Sequence, residues 1–262
     1  MNARSALFDL YGDHLRARSS VAPVAGLVRL LAALDVAAPA VRTAVSRMVR
    51  QSWLTPVRTS SGPGYALTAR AARRLDEAGA RIYRTRVSDW DAAWHVLMTD
   101  PVRDRAARER IRAGLGFLGY GELREGTWLA PRESAEVDAL LDAEGIRAER
   151  FTARHDGDSQ ALVARVWDLD GLARAYGRWL EDAAALIESL GDHPSDETAF
   201  AVRSRLVHEW RKFLFRDPGL PRPLLPLDWP ADKAAAYFDA ESARLLPAAS
   251  RFVDVCLEAP RV

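Results

Sequence analysis

Arg42, Thr43, Ser46, Arg47 and Arg50 recur at spacings of three and four along AVRTAVSRMVRQ, so a helix over this stretch carries them on one face. That face has no acid. A helix enters the major groove of DNA only with such a face, because every carboxylate would meet phosphate. Arg42 and Arg47 can bridge guanine O6 and N7, Thr43 and Ser46 can reach base edges or phosphate, and Arg50, at the far end, is placed for a phosphate. Arg58, Thr59 and Ser60 follow in a short polar stretch, suited to tracking the backbone or probing the minor groove.

No other chemistry stands out. The five histidines, at 14, 95, 155, 193 and 208, lack metal-ligand spacing, and neither a Gly-rich phosphate loop nor a nucleophile elbow is present. His208 adjoins Glu209, but neighbours do not share a helix face and no nucleophile lies near. Cys256 is the single cysteine, which excludes an internal disulfide or a Cys-rich zinc module and leaves it as a small apolar packing residue. The expectation is a non-enzyme without metal or cofactor.

The elements that must position the basic face are legible. Ala6, Leu7, Leu10, Tyr11 and Leu15 mark an amphipathic helix over Ala3–Arg16. Pro23 opens a second helix, buried through Val24, Leu27, Val28, Leu30, Leu31 and Leu34. After a turn at 35–38, Pro39 opens the third, with Val41, Val45, Met48 and Val49 inward. Trp53–Arg58 reads as a strand, TSSGPG (59–64) as a turn-rich tip and Tyr65–Leu67 as the returning strand, after which Thr68 caps another helix, ARAARRLDEAGARIYR. Three helices and a hairpin describe a winged helix-turn-helix.

Beyond Arg86, where seven of the eight tryptophans lie, strands and helices alternate. Strands are expected at Trp94–Met98, Gly126–Ala130, Arg147–Arg154 and Ala161–Trp167, and helices at Val102–Leu118 and Ser134–Ala143. That order fits a ferredoxin-like sandwich with its helices on one face. Helices at Leu169–Leu190 and Asp196–Phe215 follow, then DPGLPRPLLPLDWP, whose five prolines forbid a helix and whose apolar residues predict a strap over the helices. A last helical region, Ala231–Leu257, is expected to break at Pro247. The fold class is thus α+β: residues 1–86 a winged helix-turn-helix, 87–167 a ferredoxin-like domain expected to dimerise, and 168–262 mainly helical.

With 262 residues, 48% of them hydrophobic and 28% charged, the chain buries a core and is not a disordered tail. Its net charge of +1 hides an asymmetry: residues 1–86 hold fourteen arginines and five acids, a net +9, and the remainder 23 bases and 31 acids, a net −8. Only Lys212 and Lys233 are lysines, so genomic composition favours arginine, but composition does not move the acids. A polyanion is the expected partner of the N-terminal part. The best apolar run, Val21–Val41, is broken by Arg29 and Asp35, so no membrane span is expected; with no secretory signal at the N-terminus, the expectation is cytoplasmic.

LFDLYGDHL, AVRTAVSRMVRQSWL, YALT, GFLGYGELREGTWLAP and RLVHEWRKFLFRDPGLPRPLLPLDWP together resemble the PaaX family of transcriptional repressors, over nearly the whole chain. Departures are small: Ser52 stands where the family usually has Gly before the Trp, Asp35 replaces a frequent Gly, and Ala231 replaces a Gly after the Trp-Pro pair. The resemblance implies a homodimeric repressor of phenylacetic acid catabolism, bound to a palindromic operator in double-stranded DNA and released by phenylacetyl-CoA or another acyl-CoA. An acyl-CoA needs cations and an apolar pocket, and Arg205, His208, Lys212 and Arg216 beside Trp210 are the candidates for both. The alternative is a metal-dependent nuclease, because the central domain is similar to the small CRISPR-associated ferredoxin-like nucleases and Asp100 follows its first strand. The simpler role for Asp100, before Pro101, is a helix N-cap.

Overall fold

The computed structural model describes residues 1–82, 90–191 and 193–258. The boundary expected after Arg86, and the last turn of the helix read to Arg84, lie outside them. Two compact units are present: one gathers Met1–Arg86, Arg178–Arg211 and Ala234–Val262, the other Val87–Gly177 and Lys212–Lys233. The C-terminal segment 168–262 thus contributes to both.

In the first unit, α1 (Ala3–Leu10) continues through a wide turn, Tyr11–Leu15, and a 3-10 turn, Arg16–Arg18. A short strand missed in the sequence, β1 (Val21–Pro23), then precedes α2 (Val24–Ala32). Pro23 therefore ends a strand and stands at the N-cap of α2, one position before where it was expected. α3 (Ala38–Arg50) carries Pro39 in its first turn, and the hairpin β2 (Leu54–Thr59) and β3 (Gly62–Leu67) leads to α4 (Ala69–Ile82). Only Ser60 and Ser61 form the tip; Gly62 to Gly64 belong to β3, because they pair with Val57, Arg58 and Thr59. The sheet order is β1-β3-β2, and Gly64 permits it: a Cβ there would stand 2.6 Å from the Ala22 carbonyl oxygen.

The core of this unit joins Leu7, Leu10, Tyr11 and Leu15 to Leu27, Leu30, Leu31, Val41, Val45 and Met48. Phe200 of α9 (Asp196–Trp210) and Ala249, Val253 and Cys256 of α10 (Pro230–Leu257) enter the same cluster, so the N-terminal helices share one core with C-terminal ones. α9 ends at Trp210 and a 3-10 turn carries Arg211–Phe215, five residues short of the expected α-helical end. α10 runs through Pro247 without the expected break. Pro247 and Ala243 are both exposed, so the carbonyl that loses its donor faces water, while Leu245, Ala249 and Val253 hold the helix by packing.

In the second unit, β4 (Trp94–Thr99), α5 (Arg105–Phe117), β5 (Gly121–Arg124), β6 (Thr127–Ala130), α6 (Val137–Glu144) and β7 (Ala148–Ala153) build an antiparallel sheet of order β5-β6-β4-β7, the ferredoxin-like arrangement. Two corrections restore it. GELR (121–124), to which the sequence pattern assigns no element, is the fourth strand, paired with β6, and Ala161–Trp167, read as a strand, lies mostly in α7 (Ser159–Val166). A short apolar run fits either period, and here the Asp158 carboxylate, accepting from the amides of Gln160 and Ala161, starts a helix. Leu97, Trp128 and Ala130 face α5 and α6; Trp94 and Leu129, on the other face, are covered by Leu162 and Val163 of α7 and by Leu220 and Leu224. The proline strap packs over α7, where the Gln160 side-chain amide donates to the Pro223 carbonyl, as well as on the sheet. α8 (Leu169–Glu188) closes the element list.

Candidate nucleic-acid interface

α3 is aimed by its buried side. Val41, Ala44, Val45 and Met48 are buried and Val49 half-buried, which leaves Arg42, Thr43, Ser46, Arg47 and Arg50 all exposed along one stripe. Each end of this segment is fixed by a helix stop of the same kind. Asp35 closes α2 at φ 60°, with the Val36 amide donating to the Leu31 carbonyl at 3.0 Å; Ser52 closes α3 at φ 57°, with the Trp53 amide donating to the Met48 carbonyl at 2.9 Å. In the hairpin, Arg58 and Ser60 are exposed, whereas Thr59 is half-buried and its hydroxyl is held in the turn, donating to the Gly62 carbonyl at 2.8 Å and accepting from the Ser61 amide at 3.2 Å. Ser60 and Ser61 also line an open cleft of about 490 Å³ with Asp254, Leu257 and Glu258 of α10.

Charge is sorted across this unit. Arg42, Arg47, Arg50 and Arg58 have no carboxylate partner among the described residues, and neither do Arg4, Arg70 and Arg73. Four of the five N-terminal acids, Asp9, Asp13, Asp35 and Asp76, are paired with other cations. Arg16 takes Asp76 at 2.5 Å, Arg205 takes Asp35 at 3.1 Å, His208 and Arg211 take Asp9 at 2.7 Å each, and Arg203 takes Asp13. Four of these five cations lie on α9 or the residue after it. None of these four carboxylates is paired with a cation of the α3 stripe, which therefore keeps its positive field.

The same pairs define what the expected effector residues do. Arg205 and His208 hold Asp35 and Asp9. Trp210 is buried, its ring stacked on Phe238 at 4.9 Å and 10°, edge-on to Trp179 at 4.7 Å, with its indole N–H donating to the Ile82 carbonyl at 3.1 Å. Lys212 and Arg216 are exposed and belong to the other compact unit. Sequence reading missed Asp9, Asp13, Arg203 and Arg211. Their one signal was two acids, four apart, interleaved with the apolar stripe Leu7, Leu10, Tyr11 and Leu15; nothing local could name partners almost two hundred residues away.

Asp100 does not cap a helix. Its carboxylate meets the Arg147 guanidinium at 3.2 Å, and Asp104 caps α5 by accepting from the amides of Ala106 and Ala107. Among the described residues, no group of three or more His, Cys, Asp or Glu side chains converges as metal ligands would.

Three family models divide the chain between them. Residues 2–71 match the PaaX-like protein, 87–163 the PaaX protein central Cas2-like domain, and 167–255 the PaaX-like protein C-terminal domain. The chain belongs to the PaaX family. A curated PaaX relative, the transcriptional repressor PaaX of Escherichia coli, is 27% identical over 97% of this chain and 83% of its own length. A solved structure of an uncharacterized protein from Mycobacterium tuberculosis is 28% identical, with a TM-score of 0.65 over 97% of this chain and 98% of that one. Two of the positions where this PaaX chain departs from the family's usual glycine, Asp35 and Ser52, are the two left-handed helix stops that flank α3, a backbone region where glycine has no steric penalty. No described helix is long and apolar enough to cross a membrane.

Proposed function

We propose that this PaaX family member is a DNA-binding transcriptional regulator, a repressor, whose N-terminal helices and hairpin act as a winged helix-turn-helix. The single observation that carries the reading is the charge sorting: the cations of α3 and the hairpin stand exposed and unpaired while Asp9, Asp13, Asp35 and Asp76 of the same domain are held by Arg16, α9 and Arg211. On this reading Arg42, Thr43, Ser46 and Arg47 face base edges, Arg50 and Arg58 contact phosphate, and Ser60 follows the backbone beside the hairpin. Thr59 serves by shaping the tip. A homodimer formed through the central domain would present two such readers to a palindrome with half-sites ~10 or ~20 base pairs apart.

The effector we propose is an aryl-CoA or related acyl-CoA thioester, phenylacetyl-CoA being the first to try. It acts by population shift, favouring a dimer whose readers no longer match the half-site spacing, and only its differential affinity for the two states does work. The test is fluorescence anisotropy on DNA from upstream of the protein's own gene, at ~150 mM salt, with and without phenylacetyl-CoA. Selective binding abolished by the thioester supports both parts. Selective binding that ignores it removes this effector, and weak, salt-sensitive, non-selective binding overturns the operator reading.

A further inference from the structure

The basic stripe of α3 does not stop at Arg50. Three elements converge on Trp53, just beyond the α3 terminus. From α1, the Arg4 guanidinium lies over the Phe8 ring, 5.4 Å from its centroid, and Phe8 meets the Trp53 ring edge-on at 4.7 Å. From α4, the Thr68 amide donates to the Trp53 carbonyl at 3.1 Å, and the Thr68 hydroxyl donates to the Ser52 carbonyl at 2.8 Å while accepting from the Ala71 amide at 3.2 Å. The starts of α1 and α4 are thereby tied to the end of α3.

Each of these starts is positive. Neither helix has an acid in its first turn, and their N-caps, Asn2 and Thr68, are neutral, so the positive helix ends add to the side-chain charge. Arg4, Arg70 and Arg73 are exposed, and among the described residues none has a carboxylate partner. Arg70 and Arg73, three positions apart, lie on one face of α4. The acid one turn further, Asp76, is removed from the account by Arg16, which donates to it from Nε at 2.9 Å. Arg4, Arg70 and Arg73 stand unpaired beside the ion pair that Arg16 forms with Asp76, and duplex phosphate is the polyanion that this domain is proposed to face.

We infer that Arg4, Arg70 and Arg73 form a second phosphate-contacting surface, continuous with Arg50, which grips the DNA backbone flanking the bases read by α3. The inference rests on the operator reading for its direction. It adds a footprint longer than the recognised half-site and a group of contacts that carry affinity without base preference.

The experiment compares wild type, the triple variant Arg4→Ala/Arg70→Ala/Arg73→Ala and the matching triple lysine variant by anisotropy, on nested duplexes that keep the selected core and shorten its flanks. On the long duplex the alanine variant should bind at least ~10-fold more weakly and show a salt slope flatter by ~2 to 3, while lysine restores most of both. On the duplex cut back to its core, wild type and alanine variant should bind alike, and base preference should be the same for all three. Equal binding of wild type and alanine variant on the long duplex overturns the inference, as does an equal loss at every flank length. Thermal melts establish that the alanine variant is folded. If wild type proves non-selective, the operator reading fails by itself; the flanking surface is then decided on a random duplex of ~40 base pairs, where equal affinity and equal salt slope overturn it.

Discussion

Arg203 of α9 and Asp13, 190 positions apart in sequence, form an ion pair buried within the first unit, and the Arg203 Nε also donates to the Ser242 carbonyl of α10 at 2.9 Å. One guanidinium thus ties the residues after α1 to two C-terminal helices. Burial pulls it down to about 10, which leaves it charged at neutral pH. Together with Asp9 between His208 and Arg211, and Asp35 against Arg205, the pair shows why the N-terminal domain does not stand apart: three of its carboxylates are satisfied from α9 and Arg211.

Removing one partner of that pair strands the other in the core. Arg203→Met should cost about 3–5 kcal/mol of stability in denaturant unfolding, and the double change Arg203→Met/Asp13→Leu should recover most of it, because the uncompensated charge is gone. A double variant no more stable than the single one would show that packing, and not the stranded charge, sets the loss.

His14 supplies the pH dependence. It is 2% exposed against Phe200, its Nε2 lies 3.2 Å from the Asp13 carboxylate without an aligned hydrogen bond, and burial chiefly, with Arg18 adding, lowers it from 6.5 to about 4. The unfolded chain therefore takes up this proton first, and stability falls as pH drops from ~6.5 towards ~4, by roughly 3 kcal/mol in total. His14→Phe should flatten the stability profile within that window and leave it unchanged above pH 7. A profile with the same slope in both proteins would assign the acid sensitivity to other groups.

Ser52 holds a left-handed backbone with no gain from its side chain. Ser52→Gly should raise stability by about 0.5–1 kcal/mol, the relief of the αL strain less the entropy that glycine adds to the unfolded chain. The hydrogen bond from Thr68 is to the Ser52 carbonyl and survives the change. A thermal midpoint at or below that of the parent protein would refute this.

Arg47 and Arg50 should separate reading from gripping. Arg47→Ala should cost about 1–3 kcal/mol at the operator and relax preference at one base position. Arg50→Ala should weaken all sequences alike and reduce the salt slope by about one. If both losses prove equal and independent of sequence, Arg47 is not the base reader.

The periodic helices and the charge split were legible because both are local. Val41, Val45 and Met48 announce the buried side of α3 by spacing, and the arginines left over must face out. β1 was not legible, since Val21–Pro23 becomes a strand only through its bonds to β3, and GELR is a strand only through β6. Pro247 shows the reverse case, a local breaker overruled by apolar residues on the packed side of α10. Among the candidate effector residues, spacing alone placed Arg205, His208, Lys212 and Arg216 on one face, but the helix ends at Trp210 and two of them fall in the other unit.

By itself the sequence determined which face of α3 is basic, where the hairpin lies and that strands and helices alternate after it, because periodicity and turn chemistry act within a few residues, whereas the βαββαβ order of the sheet came only with the pairing of β5 to β6 and the helix at 159–166. The tertiary structure decided which charges stay free. Asp9, Asp13 and Asp35 sit in the same domain as the basic stripe, and sequence cannot say whether they quench it; chain folding brings Arg203, Arg205, His208 and Arg211 to them across 170 or more positions. An ion pair depends on distance in space, which sequence separation does not report.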